Sequence, residues 1–489
     1  MFKSKLTFIP ACVVLATTTF AAGADRSTLD ASYRETAGAI LGAALTDTGG
    51  WEKLTYLTTR IGHRLSGSPQ LEEAIRWAQG RMQAEGLENV RQQPVKVPHW
   101  VRGRESAEVV APVQKKLNIL GLGMSVGTPP EGLTAPVVVV GSFEELHSLG
   151  RDKVEGKIVL YAVPWQGYGR TVQYRSRGPS EAAKLGALAV LVRSATGHSL
   201  YTPHTGALRY QEQAPRIPAA AVTVEDAEWM ARMARMGLQV KVKLFMEARM
   251  LPEADSSNLI AEIAGREKAE EVVVMGGHFD SWDVGQGAHD DGAACIANWQ
   301  ALKILKDLKL RPRRTLRVVL WTNEENGLAG GRAYRRALGD DVHNHVAAIE
   351  MDGGVERPVG FGLGIGAPTF GRRRGQEESE PSPEARQALA KLKEIGRLLE
   401  GLEAGEMTLG GGGADISPLM RAGVPGLALR TVGEHYFDWH HTRADTLDKV
   451  DPQNFRKAVA MLAVMGYILA DMPDRLIGAR ASSHPETVQ

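Results

Sequence analysis

From Leu251 onward, short apolar runs alternate with helix-length segments. That alternation restricts this part of the chain to a mixed, mostly parallel α/β sheet flanked by helices. Strand-like runs fall at Glu271–Met275, Leu316–Trp321, Ala347–Met351 and Leu427–Arg430, and helical patterns at Asp291–Leu308, Ala329–Leu338 and Pro452–Leu469. An open sheet of this kind gathers its ligands beyond the carboxyl ends of its strands. His278 comes just after Val-Val-Val-Met, Glu324 and Glu325 after Arg-Val-Val-Leu-Trp, and Asp352 after Ala-Ala-Ile-Glu-Met. Three strand ends therefore deliver acids and an imidazole to one edge.

With Asp290 and His441, these residues make a complete inventory for a two-metal hydrolase. Two imidazoles and several carboxylates suit two zinc ions, and a spare carboxylate suits the attacking water. Asp290 can place one oxygen on each of two cations about 3.5–4 Å apart. A metal-bound imidazole usually gives its other N–H to a carboxylate. Asp280, two residues after His278, is the candidate, with Asp283 as competitor. Asp291 reads as the N-cap of the next helix. Neighbours on a strand point to opposite faces, so Glu324 and Glu325 reach one site only if the strand has ended, and Asn326-Gly327 supplies that turn. One carboxylate then binds metal and the other moves the proton. Spacing alone does not say which.

The rest of the chain places this centre. At 489 residues there is room for two to three domains, and a net charge of +1 gives no reason to expect a nucleic acid or an acidic membrane surface as partner. Lys3 and Lys5 precede an apolar run from Leu6 to Phe20 that ends in Ala22-Gly23-Ala24. This reads as a cleaved signal peptide over 1–24, which implies a periplasmic or secreted protein with no stable membrane insertion. Cleavage would leave Cys295 as the sole cysteine, read as a buried structural thiol, and no internal disulfide. Residues 25–101 read as a mainly helical first part of the catalytic unit, with a turn at Arg60–Pro69 and a helix at Leu71–Gly86. Residues 102–250 read as a β-rich insert, with strands near Pro136–Val140, Gly156–Tyr161, Ala189–Val192 and Ile217–Val222 and a helix at Ser180–Leu185. Residues 251–475 form the main catalytic part, with an exposed loop at Arg372–Ser382, and 476–489 a tail.

The order His-x-Asp, Asp-Asp, Glu-Glu, Asp and a final His before Thr resembles the zinc-dependent exopeptidases of family M28, which have a phosphorylase/hydrolase-like fold. The resemblance implies one zinc on His278, Asp290 and Asp352, a second on Asp290, Glu325 and His441, and Glu324 as general base. It selects His441 over His440, because the family's final ligand directly precedes the Thr of a His-Thr-x-x-Asp-Thr run. Some carboxypeptidase relatives place a Tyr at the position of His440, as donor to the oxyanion; an imidazole can make a similar hydrogen bond. The family also tends to hold the Asp290–Asp291 bond cis. GKIVLY, EAAKLGALAVLV and IPAAAV resemble a protease-associated (PA) domain. That insert and the double histidine are most similar to the plasma glutamate carboxypeptidase branch, which implies a homodimer acting on dipeptides and short peptides. An aminopeptidase of the same family, or an N-acyl amino acid amidohydrolase, is the alternative. A carboxylate anchor would come from Arg430, Arg443 or Arg332, and an amine anchor from Glu434 or Asp438. The Gly410–Gly413 loop with Asp415 and Ser417 would line the pocket.

Overall fold

The computed structural model describes residues 28–198, 200–366 and 380–478. The expected signal peptide, most of the expected loop at 372–382 and most of the tail from 476 lie outside the described residues. Two eight-stranded sheets organise the rest. In the first, the order across the sheet is Glu88–Val101, Arg249–Ile263, Arg314–Trp321, Lys268–His278, His345–Glu350, Gly426–Thr431, Pro358–Gly364 and Glu406–Leu409. Lys268–His278 pairs in parallel with both its neighbours, and His345–Glu350 with Gly426–Thr431. The three strands that lead to the candidate ligands thus end on the same side. Their sequences are continuous apolar runs because both faces are covered: Val272–Met275 and Leu316–Trp321 are buried almost throughout.

One face is covered by the helices Leu29–Leu45, Ala293–Asp307 and Pro452–Asp471, which meet in the largest apolar cluster. Ala293–Asp307 is buried on nearly all sides, so its sequence carries little amphipathic signal. Pro452–Asp471 starts where Asp451 accepts from the backbone N–H of Gln453 and Asn454, with Pro452 in the first turn, where its missing donor costs nothing. Among the described residues no helix is long and apolar enough to cross a membrane.

Several elements differ from the expectation. Residues 25–101 are not helical to their end: Glu88–Val101 is a long strand paired antiparallel with Arg249–Ile263. This two-stranded ribbon carries the chain out of the first sheet and back into it. Its polar composition hides it, because its partner strand, far along the chain at Arg249–Ile263, supplies the reason to extend. Pro358–Gly364 and Glu406–Leu409 were also not anticipated. The glycines of Pro358–Gly364 weaken any strand signal yet permit close approach: a Cβ on Gly360 would lie 1.7 Å from the Glu406 carbonyl oxygen.

The second sheet comprises Lys115–Leu117, Glu105–Ala111, Lys241–Met246, Leu133–Val140, Ile158–Tyr161, Ala189–Arg193, Ala219–Val222 and Ile119–Gly121 in that order. It has its own apolar clusters on its two faces, with helices Phe143–Val154 and Val224–Arg235 that the sequence reading did not include. Arg102 ties it to the first unit. Its guanidinium donates to both oxygens of Asp283, at 2.8 and 2.6 Å, and to the Gly121 carbonyl. Asp283 is thereby occupied and is no competitor for His278.

Candidate metal centre

His278 is the last residue of its strand, and Nε2 faces Asp290 Oδ1 at 3.2 Å and Asp352 Oδ1 at 3.6 Å. His441 comes from the far end of the chain, and its Nε2 faces Asp290 Oδ2 at 3.2 Å and Glu325 Oε2 at 3.0 Å. The two oxygens of Asp290 therefore address one imidazole each. All of these groups are buried except Asp352, which is partly exposed.

The electrostatics follow from crowding acids away from water. Burial opposes charge on His278 and His441, but the carboxylates beside them hold both imidazoles well above their ordinary pKa. Burial likewise opposes the Asp290 carboxylate, yet His278 and His441 hold it well below the usual range. Burial pushes Glu325 up to about 7, with Asp290 adding to it. Burial also holds Glu324 well above the carboxylate range, reinforced by Asp352, Glu325 and Asp280. Asp290 Oδ2 and Glu325 Oε1 are buried without a hydrogen-bond partner. Hard carboxylate oxygens, two imidazole nitrogens and orphaned lone pairs facing one another fit divalent cations of the zinc type.

The local backbone explains how both members of the Glu pair reach one place. The strand stops at Trp321, and Asn323 turns the chain with φ +67. Its side chain holds the turn, donating to Ser66 Oγ at 3.0 Å and accepting from Ala329 N–H at 3.1 Å. Asp280 has a different job from the one expected. The His278 Nδ1–H goes to the Asp280 carbonyl at 3.0 Å, while the carboxylate is 3.9 Å away. That carboxylate instead accepts from Glu324 N–H at 3.0 Å, Glu325 N–H at 3.3 Å and Ser66 Oγ at 3.2 Å. It fixes the Glu-Glu turn.

Asp291 is not an N-cap. Its carboxylate accepts from the His278 backbone N–H at 3.1 Å, and the peptide joining it to Asp290 is cis. Cys295 is buried, with Sγ 3.1 Å from the His278 carbonyl. His440 stacks on His441 with ring centroids 3.5 Å apart, and its Nε2 lies 3.7 Å from Asp290 Oδ2. Ligand atoms of Asp290, His440 and His441 come within 4.8 Å of one another, as do those of His278, Asp290 and Asp352. Its ring is enclosed by Tyr168, Tyr436 and Phe437. Burial, then His441, hold His440 well below the ordinary imidazole pKa.

Two supporting residues escaped the sequence reading. Asp445, in the same run as His441, accepts from the N–H groups of Ala288, His289 and Asp290 at 3.0, 2.7 and 3.3 Å. Burial, with Asp290 adding, pushes its carboxyl up to about 7. Arg64, wholly buried, donates to the carbonyls of Gly62, Phe279, Gln286 and Gly287. It braces the loop between His278 and Asp290 from below. The Arg60–Pro69 turn flagged it, but backbone acceptors leave no trace in a sequence.

Among the candidate anchors, Arg430 pairs with Glu406 at 3.0 Å, and the Asp438 carboxylate bonds to His198 and His435 at 3.0 and 2.9 Å. Glu434 donates its backbone N–H to Glu356. Arg443 lines a cavity of about 530 Å³ with Glu105, Lys116 and Lys243 of the second sheet. Asp415 is buried beside Glu350, and both its carboxylate oxygens lack a partner.

The model of peptidase family M28 matches residues 258–465, which contain His278, Asp290, Glu324, Glu325, Asp352 and His441. Human carboxypeptidase Q is 45% identical over 426 residues, covering 87% of this chain and 86% of that protein. The crystal structure of an M28 peptidase precursor from Shewanella amazonensis is 32% identical with a TM-score of 0.84, covering 92% of this chain and 99% of the other. A zinc aminopeptidase from Bacillus subtilis shares the fold, with TM-score 0.63 at 18% identity over 88% and 97% of the two chains. Fold, site and likeness together define a metallo-exopeptidase. Within that class the chain belongs to peptidase family M28, among the carboxypeptidase Q proteins.

Proposed function

We propose that the chain is a co-catalytic di-zinc exopeptidase that hydrolyses dipeptides or short peptides, acting as a carboxypeptidase. The division of Asp290 between His278 and His441 carries this reading. His278 and Asp352 would complete one cation position, and Glu325 and His441 the other. Zinc held by these residues would lower the pKa of a bound water and polarise the scissile carbonyl. Glu324, partly exposed beside Asp352, accepts the proton from the attacking water and returns it to the leaving amine. The Asp280 carboxylate keeps Glu324 and Glu325 in register by receiving both backbone N–H groups. His440 lies beside Asp290 and donates to the developing oxyanion. The inserted sheet serves as the PA-type wall of the substrate cleft. Export and a homodimer accompany this reading.

The test is Glu324→Gln. It leaves two equivalents of zinc in place and lowers kcat by about 10²–10⁴. Turnover near wild type removes Glu324 from the mechanism. Unblocked, N-blocked and C-amidated dipeptides decide direction: loss of cleavage on C-amidation supports the carboxypeptidase, loss on N-blocking the aminopeptidase, and preference for N-acyl amino acids the amidohydrolase.

A further inference from the structure

His441 is held from outside its own sheet. The loop between Ala189–Arg193 and Ala219–Val222 of the inserted unit presents Thr205 to it main chain to main chain. The Thr205 N–H donates to the His441 carbonyl at 3.0 Å, and His441 Nδ1–H donates to the Thr205 carbonyl at 3.2 Å. Arg175, from helix Tyr168–Ser176 of the same unit, closes the arrangement. Its Nη1 donates to the Thr205 carbonyl at 3.0 Å and lies 3.3 Å from His441 Nδ1, and its Nη2 donates to the Tyr168 hydroxyl at 2.9 Å.

We propose that Arg175 and the Thr205 main chain form a positioning clip for His441, so that the inserted unit sets how tightly the cation position at His441 is held. This rests on the metal-centre reading above. Three observations support it. A metal-binding imidazole needs one nitrogen bare, and a hydrogen bond at the other fixes which. With a cation in place, Nδ1–H held by the Thr205 carbonyl would leave the Nε2 lone pair free for it, on the side of Asp290 and Glu325. Next, His441 has φ +62, uncommon for a residue with a side chain, which persists only where surrounding contacts hold it. The Thr205 N–H to the His441 carbonyl is such a contact. Lastly, the clip is itself anchored. Thr205 Oγ1 donates to the Gly121 carbonyl at 2.7 Å, the same carbonyl that Arg102 reaches while paired with Asp283 of the catalytic unit. The guanidinium of Arg175, 7% exposed, fits only because residue 206 is glycine: a Cβ there would lie 2.2 Å from Arg175 Cζ. Arg suits the task because two separate nitrogens of its rigid planar fork serve Thr205 and Tyr168, whereas an ammonium is a single point donor on a flexible stem.

Zinc stoichiometry and the affinity of each equivalent, read by chelator competition on the full chain, test the clip. Arg175→Ala is expected to weaken one zinc equivalent by about 10–100-fold and leave the other unchanged. Arg175→Lys should lose about half of that on a logarithmic scale, since charge remains but the fork does not. Arg151→Ala is the control. It breaks an exposed contact to Glu155 in the same unit, at 2.5 Å, at the end of helix Phe143–Val154, and should leave both equivalents intact. Wild-type affinities in both Arg175 variants overturn the clip, as does equal weakening by Arg151→Ala. If Arg175→Ala does not fold, Arg175→Lys decides alone, and an unchanged affinity overturns the proposal. Wild-type protein that binds fewer than two equivalents instead sinks the metal-centre reading, before any variant is made.

Discussion

Replacing Asp280 by Asn separates two accounts of the same carboxylate. Asp280 is wholly buried, and its oxygens accept from Glu324 N–H at 3.0 Å, Glu325 N–H at 3.3 Å and Ser66 Oγ at 3.2 Å. An amide offers one acceptor oxygen, so Asn serves one of the two N–H groups and turns its own NH₂ toward the other. An unpaired buried N–H costs about 1–3 kcal/mol. The Glu-Glu turn relieves this by moving, and displaced catalytic groups lose rate steeply. A loss of about 10–100-fold in kcat/KM is therefore expected, equivalent to roughly 1.4–2.7 kcal/mol. Zinc at the His278 position should be retained, because the Asp280 carbonyl that receives Nδ1–H is untouched by the substitution. The assay is dipeptide hydrolysis with zinc stoichiometry measured on the same preparation. Loss of zinc with full activity per remaining zinc would refute the reasoning and return the carboxylate to His278. Activity close to wild type would refute it too.

His440 and Glu325 compete on geometry for the cation position at His441. Glu325→Gln is expected to cost that zinc equivalent, whereas His440→Ala keeps both and lowers kcat by about 10²-fold, as loss of an oxyanion donor does. Zinc lost from His440→Ala would reverse the assignment. Acid lability offers a test away from the metals. Burial, with Arg317 adding, pushes His345 down to about 3 from the ordinary imidazole value of 6.5. Its folded pKa lies below the unfolded one, so its contribution is complete above about 6.5 and is lost as pH falls toward 3. In that window His345→Gln should flatten the fall of unfolding free energy by about 1.4 kcal/mol per pH unit. An unchanged slope in denaturant titrations would show that His345 does not titrate as described.

The candidate site residues were legible in the chain because they sit where local rules act. His278, the Glu pair and Asp352 follow apolar runs whose burial on both faces marks them as central parallel strands, and such strands must end at one edge. Distinguishing Glu324 from Glu325, or His441 from His440, was not a matter of local rules. It came from likeness to a family, and the contacts of His440 with Asp290 show why spacing could not decide it. Glu88–Val101 and Pro358–Gly364 were illegible for a related reason, since partners distant in sequence rather than residue preferences make them strands.

The sequence by itself determined which side chains reach the edge of the sheet, and in what order. Tertiary structure alone decided what holds them. The Asp280 carboxylate turned from His278 to two backbone N–H groups, and Asp445 and Arg64 gripped the loop between His278 and Asp290 through main-chain atoms. His441 came to rest on Thr205, 236 residues away. Every residue but proline carries the same backbone donor and acceptor, so such contacts are invisible until the chain has folded.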